Sequence, residues 1–358
     1  MNLRQINENK EVFETIYIGI DVHKKSWSVS IMSDFAEFKS FTQPPEPEVL
    51  ASYVKKHFPD ARYFSAYESG FSGFWAHRRL EELDINNLVV NPSDIPTTDK
   101  EKKQKRDAID CRKIAKSLRN HSLKGIYVPD QRIDEDKALV RFRQKLVSDI
   151  RRCKNRIKSL LLYWGIRIPE ELDHSYWSKS FKKWLRDLTF QNDTASLLLT
   201  LGLDELQAIE KQKRQLEKHL VHLSTTRYKD INQWLRSIPG IGILGAMTLI
   251  TEIKDIHRFN CLDQLHSFAG LIPNVSSSGD KEYIGGITQR HNHYLRPILI
   301  QCAWRSIKCD PVLFRDYNRL CKKMKASKAI VRIAKKLLHR VNYVWKHECE
   351  YESSEEKN

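Results

Sequence analysis

Between residues 15 and 31 the apolar positions alternate with polar or small ones. Ile16, Ile18 and Ile20 are separated by Tyr17 and Gly19, and Trp27, Val29 and Ile31 alternate on the return. A period of two over "TIYIGIDVHKKSWSVSI" predicts a strand, a short turn and a second strand. "AEFKSFTQ" predicts a third strand. Pro44, Pro45 and Pro47 then introduce a helix near "EPEVLASYVKKHF". "ARYFSAYESG" reads as a strand, "FSGFWAHRRLEEL" as a helix and "INNLVVNPS" as another strand. A polar loop leads into a last helix within 103–120, "KQKRDAIDCRKIAKSLRN". Three strands, helix, strand, helix, strand, helix is the order of a mixed α/β domain ending near residue 128.

The period then changes. From 136 to 164, Leu139, Phe142, Leu146, Ile150, Cys153, Ile157, Leu160 and Trp164 recur at steps of three and four. Arg141, Arg143, Lys145, Arg151, Arg152, Lys154, Arg156 and Lys158 fill the other faces. This predicts a long, basic, nearly heptad helix. A second, "LDELQAIEKQKRQLEKHLVHLSTT", covers 203–226, with a less regular stretch around Trp177 and Trp184 between them. A helical hairpin or coiled coil over 129–228 follows. Its basic face is either solvated or a contact for a second subunit or nucleic acid. Over 229–346, "WLRSIPGIGILGAMTLITEI" predicts two helices about a glycine turn, a helix-turn-helix-like hairpin. "IHRFNCLDQLHSFAGL" adds a helix, "IPNVSSSGDKEYIGGITQRHN" a small-residue loop, and two basic amphipathic helices close the region. The acidic residues 347–358 are expected to fray.

The chain has 358 residues, which suits two or three domains. Its net charge of +16 changes the picture more, because it favours a polyanionic partner, nucleic acid before an acidic membrane surface. No apolar run approaches the roughly 20 residues that cross a bilayer. The first residues, "MNLRQINENKEVFET", lack the apolar core of a secretory signal. Seven cysteines without a CxxC pair fit reduced thiols in a cytoplasm and argue against zinc. His291 and His293 have no ligand partners nearby in sequence and read as surface residues.

Against this basic background the carboxylates stand out. Asp21 and Glu68 each end a strand, where alternation breaks to an acid. Asp107 and Asp110 would share one face of a helix, a like-charge pair costing about 0.2–0.5 kcal/mol. Surrounding cations could neutralise the pair, or a bound cation could require it. Four carboxylates offer the oxygen-rich cluster that hard divalent metals take, suited to phosphoryl transfer. The turn "PGIG", with Gly240 and Gly242, is either a tight turn or a place where main-chain N–H groups meet phosphate. "SSSGD", flanked by Lys281 and Arg290, is a flexible loop that matters only if a nucleophile is required.

Five segments occur in a fixed order: "YIGIDVHKKSWSVSI", "AYESGFSGFW", "VVNPSDIPTTDKEKKQKRDAIDCRKIAKSL", "IPGIGILGAMTLITEI" and "FAGLIPNVSSSGDKEYIGGITQRHNHYLRPILI". Together they closely resemble the DEDD transposases of the IS110 family of bacterial insertion sequences, the bridge-RNA-guided recombinases, over residues 15 to 346. The resemblance implies an N-terminal RuvC-like domain of the RNase H fold, with Asp21, Glu68, Asp107 and Asp110 holding Mg²⁺. It implies a central coiled coil and a C-terminal transposase domain whose serine, directly before a glycine, attacks DNA to form a phosphoserine link. Ser278 fits best, with Ser276 and Ser277 adjacent. It further implies a non-coding bridge RNA pairing with donor and target DNA. Dimers and tetramers are implied too, with composite sites built from different subunits. Gly240, Gly242, Lys281, Arg290, Arg296, Arg151 and Arg152 are the expected nucleic-acid contacts, and the bacterial cytoplasm, at the nucleoid, is the expected location. The sequence departs from the family at His291, where many members carry glycine. A junction nuclease using water, or a non-catalytic nucleic-acid-binding protein, are the competing readings.

Overall fold

The computed structural model describes residues 14–96, 107–174, 176–278 and 281–352, without the side chains of 107–108, 275–278 and 281–284. The chain forms two compact units, Met1–Val128 and Pro129–Asn358.

The first unit holds β1 (Thr15–Val22), β2 (Trp27–Met32), β3 (Glu37–Gln43), α1 (Pro47–His57), β4 (Arg62–Glu68), α2 (Trp75–Glu82), β5 (Ile85–Val90) and α3 (Asp107–Arg119). This is the order that the alternation predicts. The five strands form one sheet in the order β3-β2-β1-β4-β5. β1 pairs antiparallel with β2 and parallel with β4, and β4 pairs parallel with β5. Both faces are covered. Ile16, Ile18, Ile20 and Tyr67 pack with Leu50 and Val54 of α1 and Leu80 of α2. Tyr17, Ala66 and Val90 on the opposite face pack with Ile114 and Leu118 of α3. A sheet buried on both faces explains why its central strands are nearly continuous in apolar character.

Gly19 fixes how α3 lies on that second face. A Cβ there would sit 1.9 Å from the Cys111 carbonyl oxygen and 2.4 Å from the Ala115 nitrogen. Backbone meets backbone, so neither side can yield by a rotamer change. Gly19→Ala is expected to destabilise this unit by about 3 kcal/mol, the upper end for overpacking. Amide exchange at β1 and β4 in the whole chain measures it, and unchanged protection would show that α3 can move aside.

The second unit opens with α4 (Gln131–Tyr163), followed by α5 (Lys179–Asp187) and α6 (Asp193–Thr225). α4 is about 50 Å long at 1.5 Å per residue. α6 begins ten residues before the expected position of 203. Gly202, in its third turn, allows close approach to α4, since a Cβ there would lie 3.2 Å from Ile157. The helices share two cores. The outer one contains Cys153, Ile157, Leu161, Phe181, Leu185, Leu199, Leu203 and Leu206. The inner one takes Val140, Leu146, Leu216, Leu220 and Leu223 into the rest of the unit.

That remainder comprises α7 (Lys229–Ser237), α8 (Ile243–Ile253), α9 (Leu262–Ala269), β6 (Pro273–Ser278), β7 (Lys281–Ile287), α10 (Leu295–Cys309), α11 (Pro311–Cys321) and α12 (Ala326–Lys346). Every residue of α8 from Gly245 to Ile253 is buried, so it is the central helix. Three expectations need correction. The small-residue segment after α9 is a two-stranded antiparallel hairpin rather than a loop. α11 lies within a stretch assigned no element; Asp310 caps it, its Oδ1 accepting from the Leu313 N–H at 2.8 Å. The acidic tail is pinned at its start: the Tyr351 N–H donates to Ser237 Oγ at 2.7 Å, and the Arg340 guanidinium lies over the Tyr351 ring.

Candidate functional site

In the register of β1 with β4, Ile20 lies beside Tyr67, which makes Asp21 and Glu68 the next residues along two neighbouring parallel strands. Strand side chains alternate, so both carboxylates belong to the face carrying Tyr17, Gly19 and Ala66, the face under α3. The α3 backbone touches β1 at Gly19, two residues before Asp21. α3 starts at Asp107, and Asp110, half-buried, stands on its first turn. The buried Cys111 thiol reports the proximity. Its pKa is pushed up to about 11, first by burial, with the charges of Asp21 and Asp110 adding to the shift. Asp21 and Asp110, distant in sequence, therefore both lie near Cys111, where Gly19 lets the helix seat on β1, and Glu68 ends the neighbouring strand.

Arg112, two residues after Asp110, donates its Nε to Glu37 Oε2 on β3 at 2.7 Å. Asp21 meets His23, whose Nε2 lies 3.0 Å from Asp21 Oδ2. A carboxylate only accepts, so the imidazole donates. His23 is a contact of the site that the sequence reading did not weigh, although "DVH" places it two residues away. Among the described residues, no three His, Cys, Asp or Glu side chains are grouped to hold a metal ion. The Asp107 side chain lies outside the described residues. The donor set is nevertheless all oxygen, and Glu68 is exposed. Carboxylates of this kind fit a hard divalent cation in chemistry.

The remaining candidates lie in the second unit. Ser276, Ser277 and Ser278 are in β6, with Ser278 opposite Lys281 of β7; the side chains of all four lie outside the described residues. Arg290 is exposed just beyond β7. Arg296 turns inward, its Nη2 donating to the Thr288 carbonyl at 2.5 Å, and burial lowers its pKa. Gly270 makes room for this packing: its φ is +70°, and a Cβ would lie 2.1 Å from that of His291. Gly240 also faces protein. With φ +96°, its Cβ would fall 2.2 Å from Ser306 Oγ on α10, which donates to the Pro239 carbonyl at 2.7 Å. Close packing accounts for that glycine, whereas Gly242 has open space where a Cβ would point. Arg151 and Arg152 are exposed on α4, and Arg152 pairs with Asp149. His291 and His293 meet edge to face, ring centroids 4.4 Å apart.

Comparison with known proteins finds two family matches. Residues 18–164 match the DEDD transposase family of the IS110 type, and residues 232–319 match the Transposase IS116/IS110/IS902 family. The first match covers all three described acids and the start of Asp107's helix; the second covers the PGIG turn and the serine hairpin. The chain belongs to the DEDD transposases of the IS110/IS116 family. It is 27% identical over 306 residues to the transposase for insertion sequence element IS1533 of Leptospira borgpetersenii, covering 81% of this chain and 85% of that protein. It is 27% identical over 241 residues to the transposase for element IS1111A of Coxiella burnetii, covering 65% and 63% respectively. The match to a Sinorhizobium fredii protein named for a transposase, y4qE, is 29% identical over 244 residues, 68% of this chain and 58% of that one.

No helix among the described residues is long and apolar enough to cross a membrane.

Proposed function

We propose that this transposase cuts and exchanges DNA strands under the guidance of a non-coding bridge RNA, through a covalent phosphoserine intermediate at Ser278. The observation that carries the reading is that Asp21 and Asp110 both lie near Cys111, with Glu68 ending the strand beside that of Asp21, in a chain of net charge +16. The strand order β3-β2-β1-β4-β5, with β2 antiparallel, supports a RuvC-like unit of the RNase H fold. Residues 129–228 act as a coiled-coil arm and 229–346 as the transposase domain, in which α7 and α8 form a helix-turn-helix-like hairpin about PGIG. The working form is a homo-oligomer, dimer and tetramer, in the bacterial cytoplasm on the nucleoid.

Asp21, Glu68, Asp107 and Asp110 would hold Mg²⁺, which when bound neutralises charge on a scissile phosphate. The chain's own residues do the rest. His23 orients the Asp21 carboxylate through its hydrogen bond. Ser278 Oγ forms a new P–O bond as the DNA ester oxygen departs; in net, the serine proton passes to that oxygen, leaving a free hydroxyl. Attack by the hydroxyl of another strand reverses the exchange and restores the serine. The phosphodiester count is conserved, so no high-energy cofactor is needed. Exposed Arg151, Arg152 and Arg290, with Lys281, supply phosphate contacts, as do backbone N–H groups about Gly242.

Two measurements on the purified full-length chain test the reading. Sequencing of co-purified RNA is expected to return one structured non-coding species from the flank of the element. Denaturing gels of Mg²⁺ reactions are expected to show protein covalently attached to DNA. Free cut ends without adducts would point to a water-using nuclease. Binding that falls with salt and ignores Mg²⁺ would point to a non-catalytic protein.

A further inference from the structure

Glu252, at the end of α8, is a carboxylate only 1% exposed, set among apolar residues. A buried charge is retained only with full compensation. Arg141 of α4 supplies it in fork geometry: Nε to Oε1 at 2.6 Å and Nη2 to Oε2 at 2.8 Å. The same guanidinium lies 4.3 Å from the centre of the Tyr294 ring. A third donor reaches Glu252 from beyond the serine hairpin, Asn292 Nδ2 to Oε2 at 2.8 Å.

Asn292 is the point where several restraints meet. Its N–H donates to the Phe268 carbonyl at 3.1 Å. Its Oδ1 accepts from the N–H groups of Tyr294 at 2.9 Å and Leu295 at 3.0 Å, capping α10. It lies five positions beyond the end of β7 at Ile287. Between them, the Thr288 N–H closes the hairpin base on the Ile272 carbonyl at 3.0 Å, and Arg296 holds the Thr288 carbonyl. A two-stranded hairpin is marginal by itself, so its placement depends on these anchors.

We propose that Arg141, Glu252 and Asn292 form a positioning clamp that sets the β6–β7 hairpin, and with it Ser278, against the arm helix α4. The inference rests on the reading of Ser278 as the nucleophile. It assigns Glu252 a role apart from the acids that would hold metal: both its oxygens accept from Arg141 or Asn292. It also makes α4 a part of the reactive hairpin's support, so a shift of Arg141 would be felt at the serine.

The test is a donor–acceptor swap. Asn292→Asp keeps Oδ1 as the helix cap, since aspartate caps as well as asparagine. It replaces the donor facing Glu252 with an acceptor. As a second variant, Arg141→Lys keeps the charge beside Glu252 but removes the fork, loosening the same carboxylate from the α4 side. Two readouts are followed on the full-length protein with its RNA and DNA: the single-turnover rate of covalent adduct formation, and amide exchange across Pro273–Ser278 and Lys281–Ile287. N292D is expected to speed hairpin exchange and slow adduct formation by about a hundredfold, the loss typical of an ångström-scale misplacement. DNA affinity should change less than threefold, and R141K should show both losses in the same direction. Unchanged exchange and rate in N292D would overturn the proposal, as would an R141K variant whose hairpin exchange matches that of the natural protein. If exchange follows the pattern while adducts persist in S278A, the clamp stands and the serine assignment fails.

Discussion

Glu68→Gln is expected to reduce DNA cleavage by roughly a thousandfold, since losing several kcal/mol of charge stabilisation at the phosphate costs a factor of ten per 1.36 kcal/mol. The amide keeps the volume and one oxygen but loses the charge that a divalent cation requires. Because Glu68 is exposed at the end of β4, the melting temperature should hold. Asp110→Asn should behave similarly, with loss partly offset by raised Mg²⁺ or Mn²⁺. Cleavage assays on labelled DNA at stepped metal concentrations measure both. Full activity of E68Q at limiting metal would remove Glu68 from the site.

The second large effect concerns Ser278. Ser278→Ala is expected to eliminate covalent protein–DNA adducts while leaving RNA and DNA binding within about a factor of two, because one hydroxyl adds little to an interface dominated by phosphate contacts. Ser276→Ala and Ser277→Ala serve as neighbours in the same strand. Adducts that vanish in one of these and survive in S278A would move the nucleophile by one or two positions. Mass spectrometry of the digested adduct would locate the phosphorylated residue directly.

Much of the first unit was legible because its signals are local. Period-two alternation located β1 and β2, and the breaks of that alternation at Asp21 and Glu68 marked the two strand ends that stand side by side. The seating of α3 was not legible. It depends on Gly19 meeting Cys111 and Ala115, a contact that no spacing rule announces. In the second unit the heptad stripe located α4, but the leucine-rich start of α6 hid where that helix begins. The serine hairpin read as a loop because Pro, Asn, Ser and Gly have low strand propensity, and its pairing is a property of two segments together. α11 did carry a readable start, Asp310 before Pro311, that went unused. Glu252 was invisible for a different reason: its partner Arg141 lies 111 positions away.

The two cores strung along α4 and α6 have a bearing on how this architecture can vary. Both helices present the same apolar stripe to each other between the inner core at Leu146 and the outer core at Cys153, seven residues on. Removing or adding one heptad in both helices together would keep the stripe in phase and change the arm by about 10 Å. Any other increment would rotate the outer core away from its counterpart. The reach of the arm is thus quantised, open to revision by evolution or by design in whole heptads, with the hairpin end left as it is.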